Sequence, residues 1–453
     1  MKSLDQKLAH IHADPHGATD FILADAKDAD MAAGLAAPGK DARTGKTRSL
    51  AEYRDQMREV TKQGLVDIML MSCSTSEALT IRERLFDNSH VTPAVRANDT
   101  TDIHLQTGGV YPKEPSRPFR SCTIDQIQSG RVNPTDSERR LGANLGLYSI
   151  TPNNDLDADF VTLAAYKEFR LEAEAKGFRH FLEVFDPNAC GGSCPHDLGR
   201  FINDWIARTL AGVPTASRPV FLKIAYHGPR AMEELVSYDP HLVAGILGGS
   251  SGTTHDAFKL LEEARKHGAR AALFGRKINN SEHQLTFVTY LRAIADGQIA
   301  AAEAVKAYHG DLERLKIKPY RALKDDMELT ATATSYAGTG GTLSLAKPQL
   351  AKPLAAPARK VMPRVVPNRT ESLSGTQRGR PRMTESQSTP ARKTQPAPEG
   401  PRVVASTMPS TADGLPKKSD GSPDFAKMTS AQKVAYARRR IHNDMARNGN
   451  GQS

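Results

Sequence analysis

The amino-acid sequence predicts a (β/α)8 barrel, an α/β fold, over residues 1–325, followed by a disordered tail. Eight short and continuously apolar runs lie between residues 21 and 275, and amphipathic helical patterns separate them. Continuous rather than alternating apolar runs are typical of parallel strands that are covered on both faces. A doubly wound open sheet usually has fewer strands and needs a glycine-rich turn after the first of them, so we favour the closed barrel.

In chain order, predicted strands and helices alternate through the body of the protein. The predicted strands are FILAD (21–25), VDIMLMS (66–72), VTPAVRA (91–97), LGLYSIT (145–151), HFLEVF (180–185), PVFLKIAY (219–226), LVAGILG (242–248) and AALFG (271–275). Helices are predicted at residues 49–64, 76–86, 159–177, 197–212, 229–238 and 253–268. Residues 99–143 interrupt the alternation with a long, polar segment that contains several prolines and glycines. We interpret it as an insertion over the C-terminal face of the barrel, where long loops are often functional.

The positive charge of the chain lies in its C-terminal part. The whole sequence has 61 Lys and Arg against 51 Asp and Glu, a formal net charge of +10. Residues 331–453 hold 20 of these basic and 7 of these acidic residues, which leaves a net charge of −3 for residues 1–330. The segment 326–453 is rich in Pro, Ser and Thr and cannot bury enough apolar surface to offset the entropy of ordering it. We predict a disordered basic tail, with one short helix at 428–447.

Cysteine content and hydropathy indicate the compartment. The four cysteines are too few and too scattered for a disulfide framework; they are Cys73, Cys122, Cys190 and Cys194. The N-terminal residues lack the apolar core of a secretory signal, and no run of residues is long and apolar enough for a membrane span. These features predict a cytoplasmic protein without membrane association.

Lys223 is the most informative residue for function. It lies inside the apolar run PVFLKIAY, where an unpaired ammonium would be costly to desolvate. We therefore expect either a neutral amine or an acidic partner beside it. Enzymes use lysines in such surroundings as nucleophiles toward carbonyl groups. The alternative is a structural lysine that reaches solvent or forms an ion pair at the end of the strand.

Two loops predict a phosphate site next to this lysine. The seventh strand runs into Gly248, Gly249 and Ser250, and the eighth strand ends in Gly275 and Arg276. Glycine lets backbone N–H groups approach an anion closely, and these two loops commonly bind phosphate in (β/α)8 barrels. The glycines alone would fit simple turns equally well. The nearby arginine and lysine favour a phosphate site.

The runs FLKIAYHGP, VAGILGGSSG and ALFGRKI resemble strands six, seven and eight of bacterial and archaeal-type class I fructose-bisphosphate aldolases, in the deoxyribose-phosphate aldolase superfamily. The resemblance covers residues 15–310 in strand order and is specific mainly in its last third. It implies a (β/α)8 barrel, often assembled into multimers, in which Lys223 forms the Schiff base. It also implies that the five loop residues at 248–250 and 275–276 contact phosphate.

Two positions depart from the pattern of that family. Its first strand usually ends in Asp-His-Gly, where this chain has Asp25 followed by Ala26 and Lys27. Its fifth strand usually carries a tyrosine as the proton shuttle, where this chain reads EVFD at residues 183–186. We predict that Asp25 or Asp186 transfers protons instead.

Other arrangements of the same residues compete with the Schiff base. Oxygen ligands suit Mg²⁺ or Mn²⁺, so a metal-assisted lyase on the same barrel is the main enzymatic alternative. Its candidate ligands are Asp25, Asp28, Glu183 and Asp186. A polar group that follows strand three is expected to orient substrate hydroxyls; it comprises Arg96, Asn98, Asp99 and Asp102. A barrel that has lost catalysis and acts as a scaffold is the non-enzymatic alternative.

The sequence as a whole favours a class I aldolase-like lyase that acts on a phosphorylated sugar or a related ketose. Lys223 would form an iminium with the substrate carbonyl, and this iminium would accept the electrons of the breaking C–C bond. We predict no cofactor and no bound metal for this reaction. A homo-oligomer is expected, and the basic tail is expected to contact acidic partners such as nucleic acid.

Overall fold

The computed structural model describes residues 1–41, 44–190, 194–249 and 252–330, and also 416–419, 423–424, 427–428 and 432. Eight parallel strands form a closed barrel in the order β1-β8-β7-β6-β5-β4-β3-β2. Their bounds are β1 Ile22–Lys27, β2 Ile68–Met71, β3 Thr92–Arg96, β4 Leu145–Ile150, β5 Arg179–Val184, β6 Leu222–Ile224, β7 Gly245–Leu247 and β8 Ala271–Phe274. Each strand overlaps the run that predicted it, so the (β/α)8 fold is confirmed.

Helices separate the strands and cover the barrel. They are α1 Ser3–Ala13, α2 Asp30–Ala33, α3 Leu50–Gln63, α4 Cys73–Ser76, α5 Ile124–Ser129, α6 Asp136–Arg139, α7 Leu156–Ala175, α8 Leu198–Ala211, α9 Pro229–Tyr238, α10 Thr254–Lys266, α11 Arg276–Asn279, α12 Gln284–Ala295, α13 Ala301–Arg314 and α14 Leu323–Asp326. Capping interactions near the helix ends fix several of these bounds. Ser49 and Glu52 form a capping box at the start of α3, and Gly64 ends that helix with a φ of +73°. None of the helices in the described ranges has the length and apolar character that crossing a membrane requires.

Side chains alternate between two apolar layers along every strand. Leu23, Leu182 and Leu222 point outward into the large cluster between the strands and the helices. Phe181 and Phe221 point into the barrel and stack there with ring centroids 4.4 Å apart. The inner cluster also contains three apolar residues of α1, namely Leu4, Leu8 and Ile11. Because side chains alternate with a period of two, residues two positions after these inward-facing ones also point into the barrel, nearer the C-terminal ends of the strands.

The segment 99–143 contains α5, α6 and a short antiparallel pairing of Asp99–Thr100 with Pro118–Phe119. It follows β3 directly. The backbone N–H of Leu105 donates a hydrogen bond to the carbonyl of Ala32 in α2, at 2.9 Å. The segment therefore lies against the residues that follow β1, at the C-terminal ends of the strands.

The chain divides into two compact units, residues 1–357 and 358–453. In the first unit, contacts with the barrel body continue past residue 325, where we predicted its end. The Asp326 carboxylate accepts hydrogen bonds from the Thr254 N–H at 2.8 Å and from His309 at 2.9 Å, and the Thr330 N–H donates to Asp256 at 2.9 Å.

In the second unit, an antiparallel bridge joins Lys417 and Pro423. Most of the predicted tail and the helix at 428–447 lie outside the described residues and stay predictions.

We expect a chain that ends at Thr330 to fold as stably as the full chain and to keep its activity. A chain that ends at Ala322 should lose roughly 2 kcal/mol or more of unfolding free energy, because it lacks the hydrogen bonds of Asp326 and Thr330 at the start of α10. Urea unfolding of the two truncated proteins measures the difference. Equal stability of the two proteins would show that residues 323–330 do not belong to the barrel.

Candidate active site

A layer of polar side chains closes the barrel interior at the C-terminal ends of the strands. Phe181 and Phe221 lie in the inner cluster, so Glu183 and Lys223, two residues further along β5 and β6, also point inward. Arg96 follows inward-facing Ala94 on β3 in the same way. Strand alternation thus brings three charged groups from three strands to one place.

These groups line a cavity of about 120 Å³. Its charged lining residues are Asp28, Arg96, Glu183, Lys223 and Arg276. The end of β1, the helix α2 and the segment after β3 supply an apolar wall, which consists of Ala26, Ala29, Ala32, Ala33, Ile103 and Leu105. The predicted nucleophile and the predicted phosphate-binding arginine therefore share one cavity.

Lys223 has the acidic partner that its apolar surroundings predicted. Its Nζ lies 2.5 Å from Oε1 of Glu183, and the two residues are 8% and 1% exposed. The other oxygen of Glu183 accepts hydrogen bonds from Ser149 Oγ at 2.6 Å and from Arg96 Nη1 at 3.3 Å. Burial by itself would raise the pKa of Glu183, but the charges of Lys223 and Arg96 and these hydrogen bonds hold that pKa below its usual value. Glu183 is therefore ionised at neutral pH.

Arg96 connects the carboxylates around the cavity. Its Nη1 also donates to Asp28 at 3.1 Å, and its Nε lies 3.7 Å from Asp99. Burial opposes its charge, yet the attraction of Asp28, Glu183 and Asp99 leaves the pKa of Arg96 above its usual value. The guanidinium is therefore a permanent cation that links the residue after β1 to β3 and β5.

Asn98 and Asp102, the remaining members of the polar group after strand three, form hydrogen bonds with other residues of the protein. The side chain of Asn98 exchanges hydrogen bonds with the backbone of Ser149, at 2.8 and 2.6 Å. The carboxylate of Asp102 accepts from Ser116 at 2.7 Å and from Thr151 at 3.0 Å. Neither residue lines the cavity, and their predicted role in orienting substrate hydroxyls stays a prediction.

The loops after β7 and β8 also border the cavity. Gly248, Gly249, Gly275 and Arg276 line it, whereas Ser250 lies outside the described residues. A Cβ on Gly275 would lie 2.3 Å from the carbonyl oxygen of Ala26, and Gly249 has a φ of +61°. Close packing and backbone conformation thus require these two glycines whether or not a phosphate binds.

Arg276 differs from the other cations of the cavity. Burial lowers the pKa of its guanidinium, and the carboxylates of Asp28 and Glu183 counteract this effect. Among the described residues it forms no ion pair, whereas Arg96 and Lys223 are both paired. Arg276 is therefore the cation that an incoming anion can neutralise.

Asp25 and Asp186 lie apart from the cavity lining. Asp25 alternates with the inward residues of β1 and pairs with Lys27 at 3.0 Å, and both residues are 0% exposed. Burial raises the pKa of Asp25, and the neighbouring Lys27 charge opposes this shift. Asp186 lies 2.8 Å from Nε2 of His227. The acid–base role assigned to the two aspartates stays a prediction, and the carboxylate beside Lys223 is that of Glu183.

The four candidate metal ligands do not converge on one point. Each has its own cationic or histidine partner: Lys27 for Asp25, Arg96 for Asp28, Lys223 for Glu183 and His227 for Asp186. Within the described ranges, no three His, Cys, Asp or Glu side chains are grouped as metal ligands would be. Cys190 and Cys194 are not free to bind a metal, because they are joined in a disulfide.

No protein-family model and no curated sequence matches this chain. Among solved structures it is similar to a Schiff base-forming fructose-1,6-bisphosphate aldolase, with 15% identity and a TM-score of 0.46 over 65% of this chain and 100% of that one. It is similar to the fructose-bisphosphate aldolase of Slackia heliotrinireducens, with 14% identity and a TM-score of 0.49 over 68% and 91%. It is also similar to a geranylgeranylglyceryl phosphate synthase of Thermoplasma acidophilum, with 8% identity and a TM-score of 0.38 over 66% and 99%. The barrel assignment accordingly rests on the strand order of this chain, and its function is argued from its own residues.

Proposed function

We propose that this protein is a class I lyase of the aldolase type, which makes or breaks a C–C bond through a Schiff base on Lys223. The observation that carries the proposal is the position of the Lys223 amine. It lines a cavity at the C-terminal ends of the strands, 2.5 Å from the Glu183 carboxylate. An amine with an adjacent proton acceptor in a largely buried site is the arrangement that covalent catalysis on carbonyl compounds requires.

The first steps follow from this pair of residues. The ammonium of Lys223 is not nucleophilic, so its proton must leave, and Glu183 is the acceptor within hydrogen-bond distance. The free amine then adds to the carbonyl carbon of the substrate. The carbonyl oxygen takes one proton from the amine nitrogen and one from protonated Glu183 and departs as water, which leaves an iminium on Lys223 and an ionised Glu183.

The iminium makes the C–C cleavage possible. The electron pair of the breaking bond moves toward the iminium nitrogen and gives an enamine, while a base removes the proton from the hydroxyl on the departing carbon, which becomes an aldehyde or ketone. We assign that base to Glu183, because Asp25 and Asp186 interact with Lys27 and His227 outside the cavity lining. Protonation of the enamine and addition of water then release the second product and restore Lys223.

The anion that accompanies the carbonyl is proposed to bind at Arg276 and the adjoining loops. Replacing Arg276 with alanine should raise KM for a phosphorylated substrate by roughly ten- to a hundredfold, because a charge-assisted hydrogen bond is lost. The unphosphorylated analogue should change much less. Steady-state kinetics with both compounds measure the difference.

Arg230→Ala provides the control for this measurement. Arg230 is exposed on α9 and pairs there with Glu234 at 2.9 Å, so its loss should leave both KM values unchanged. If Arg276→Ala impairs the phosphorylated and unphosphorylated compounds equally, Arg276 has a structural role and the loops do not bind phosphate.

A further inference from the structure

The two sides of the cavity differ in chemistry. The side formed by the end of β1, by α2 and by the segment after β3 presents alanine, isoleucine and leucine side chains, including Ala32, Ala33, Ile103 and Leu105. The backbone hydrogen bond from Leu105 to Ala32 joins the two segments of this wall. Whatever part of a substrate faces the wall meets methyl and methylene groups.

The charged side of the cavity is largely occupied by its own ion pairs. Asp28, Arg96, Glu183 and Lys223 form one continuous chain of contacts at 3.1, 3.3 and 2.5 Å. Among the described lining residues there is no Ser, Thr, Asn, Gln, Tyr or His side chain, which are the neutral groups that bind sugar hydroxyls. Arg276 is the cation of this lining that has no ion-pair partner in the described part of the chain.

We propose that the ketone component of this reaction, the one that becomes the enamine on Lys223, carries a single anionic group and a short hydrocarbon end, rather than being a bisphosphorylated polyol. The inference rests on the proposed Schiff base at Lys223 and specifies its substrate class. The anion binds at Arg276, the carbonyl carbon reaches Lys223, and the alkyl end packs on the apolar wall. A second anion would find Arg96 and Lys223 already paired with carboxylates.

The expected discrimination follows from desolvation. A substrate hydroxyl that leaves water to face this wall finds no hydrogen-bond partner, which costs binding free energy. An apolar pocket discriminates by roughly ten- to a hundredfold against an added hydroxyl. An alkyl ketone monophosphate should therefore form the Schiff base at a correspondingly lower concentration than its hydroxylated counterpart.

Borohydride trapping with four matched ketones tests the proposal on the full chain. The probes are hydroxyacetone phosphate, 1-hydroxybutan-2-one phosphate, dihydroxyacetone phosphate and dihydroxyacetone bisphosphate. Intact-mass spectrometry gives the concentration of each that traps half of the protein, and peptide mapping locates the adduct. Trapping of each ketone on a free lysine derivative corrects for its intrinsic reactivity. We expect both alkyl ketones to trap Lys223 at concentrations roughly ten- to a hundredfold lower than the other two.

Two variants locate the source of the selectivity. Ala32→Ser places a hydroxyl in the wall and should narrow the difference between hydroxyacetone phosphate and dihydroxyacetone phosphate. Ala36→Ser makes the same change at an exposed position outside the lining and should leave the difference as it is.

Each outcome decides between the two proposals. If dihydroxyacetone phosphate or its bisphosphate traps Lys223 as readily as the alkyl ketones, the substrate class is wrong and the Schiff base stands. If none of the four ketones modifies Lys223, both the substrate class and the proposed function are overturned.

Discussion

The Lys223→Met variant should lose covalent trapping altogether and lose lyase activity by a factor on the order of 10⁴ or more. Methionine preserves the apolar stem of the side chain but removes the amine, so no iminium can form and no electron sink replaces it. Removal of a covalent nucleophile typically has an effect of this size. Borohydride reduction with a carbonyl substrate, followed by peptide mapping, should show the added mass on the peptide that contains Lys223 in the unmodified protein and no such mass in the variant.

Lys277 provides the matched control for this experiment. Lys277 lies in α11, directly after the last strand, and its amine is also mostly buried. Burial lowers the pKa of Lys277 to about 8. Its Nζ donates to the carbonyl of Gly252 at 2.8 Å, and it lines a different cavity. Lys277→Met should therefore keep both the trapping and the activity. An adduct on Lys277 in the Lys223→Met protein would show that Lys277, and not Lys223, is the nucleophile.

Glu183→Gln should reduce activity by roughly 10²- to 10³-fold, since the amide cannot take the proton of Lys223. It should also lower the unfolding free energy by about 3 kcal/mol at neutral pH, because it leaves two buried cations without their shared carboxylate. The stability effect depends on pH. The folded-state pKa of Glu183 lies below its ordinary value of 4.5, so its contribution is complete above that value and is lost as the pH falls through the folded-state pKa.

Urea unfolding of both proteins between pH 7 and pH 3 measures this dependence. The difference in unfolding free energy should narrow below about pH 4.5. Glu168→Gln, on the exposed side of α7, is the control and should change stability by less than about 0.5 kcal/mol. A constant difference across this range would mean that the charge of Glu183 does not stabilise the fold, and retained activity would remove it from the mechanism.

Much of the fold could be predicted from sequence because the signals for its strands and helices are local. Every strand overlaps a mainly apolar run, and capping residues such as Ser49 and Gly64 set helix bounds within the segment itself. Lys223 could also be recognised as a candidate site residue, because a charge inside an apolar run stands out without knowledge of its neighbours. The expectation of an acidic partner followed from desolvation alone.

Which carboxylate lies beside Lys223 was harder to predict, because it depends on which way a strand side chain points. Residues 25 and 183 both lie in strands, but strand alternation turns Asp25 outward and Glu183 inward. Counting in steps of two from Phe181 would have placed Glu183 on the inward face, where it pairs with Lys223. The pairing of Asp186 with His227 joins residues 41 positions apart and follows from the tertiary fold, which no local pattern reports.

The contacts of Arg96 have a consequence for how this site can change in evolution. The guanidinium of Arg96 forms ion pairs with both Asp28 and Glu183, and Glu183 also forms an ion pair with Lys223. Substitutions within such a network are not additive, because each removal leaves a buried charge whose cost depends on the others. A single replacement at any of the four positions should therefore destabilise the protein, and we expect a new charge arrangement to arise mainly through coordinated replacements. We expect the four residues to be inherited together or replaced together.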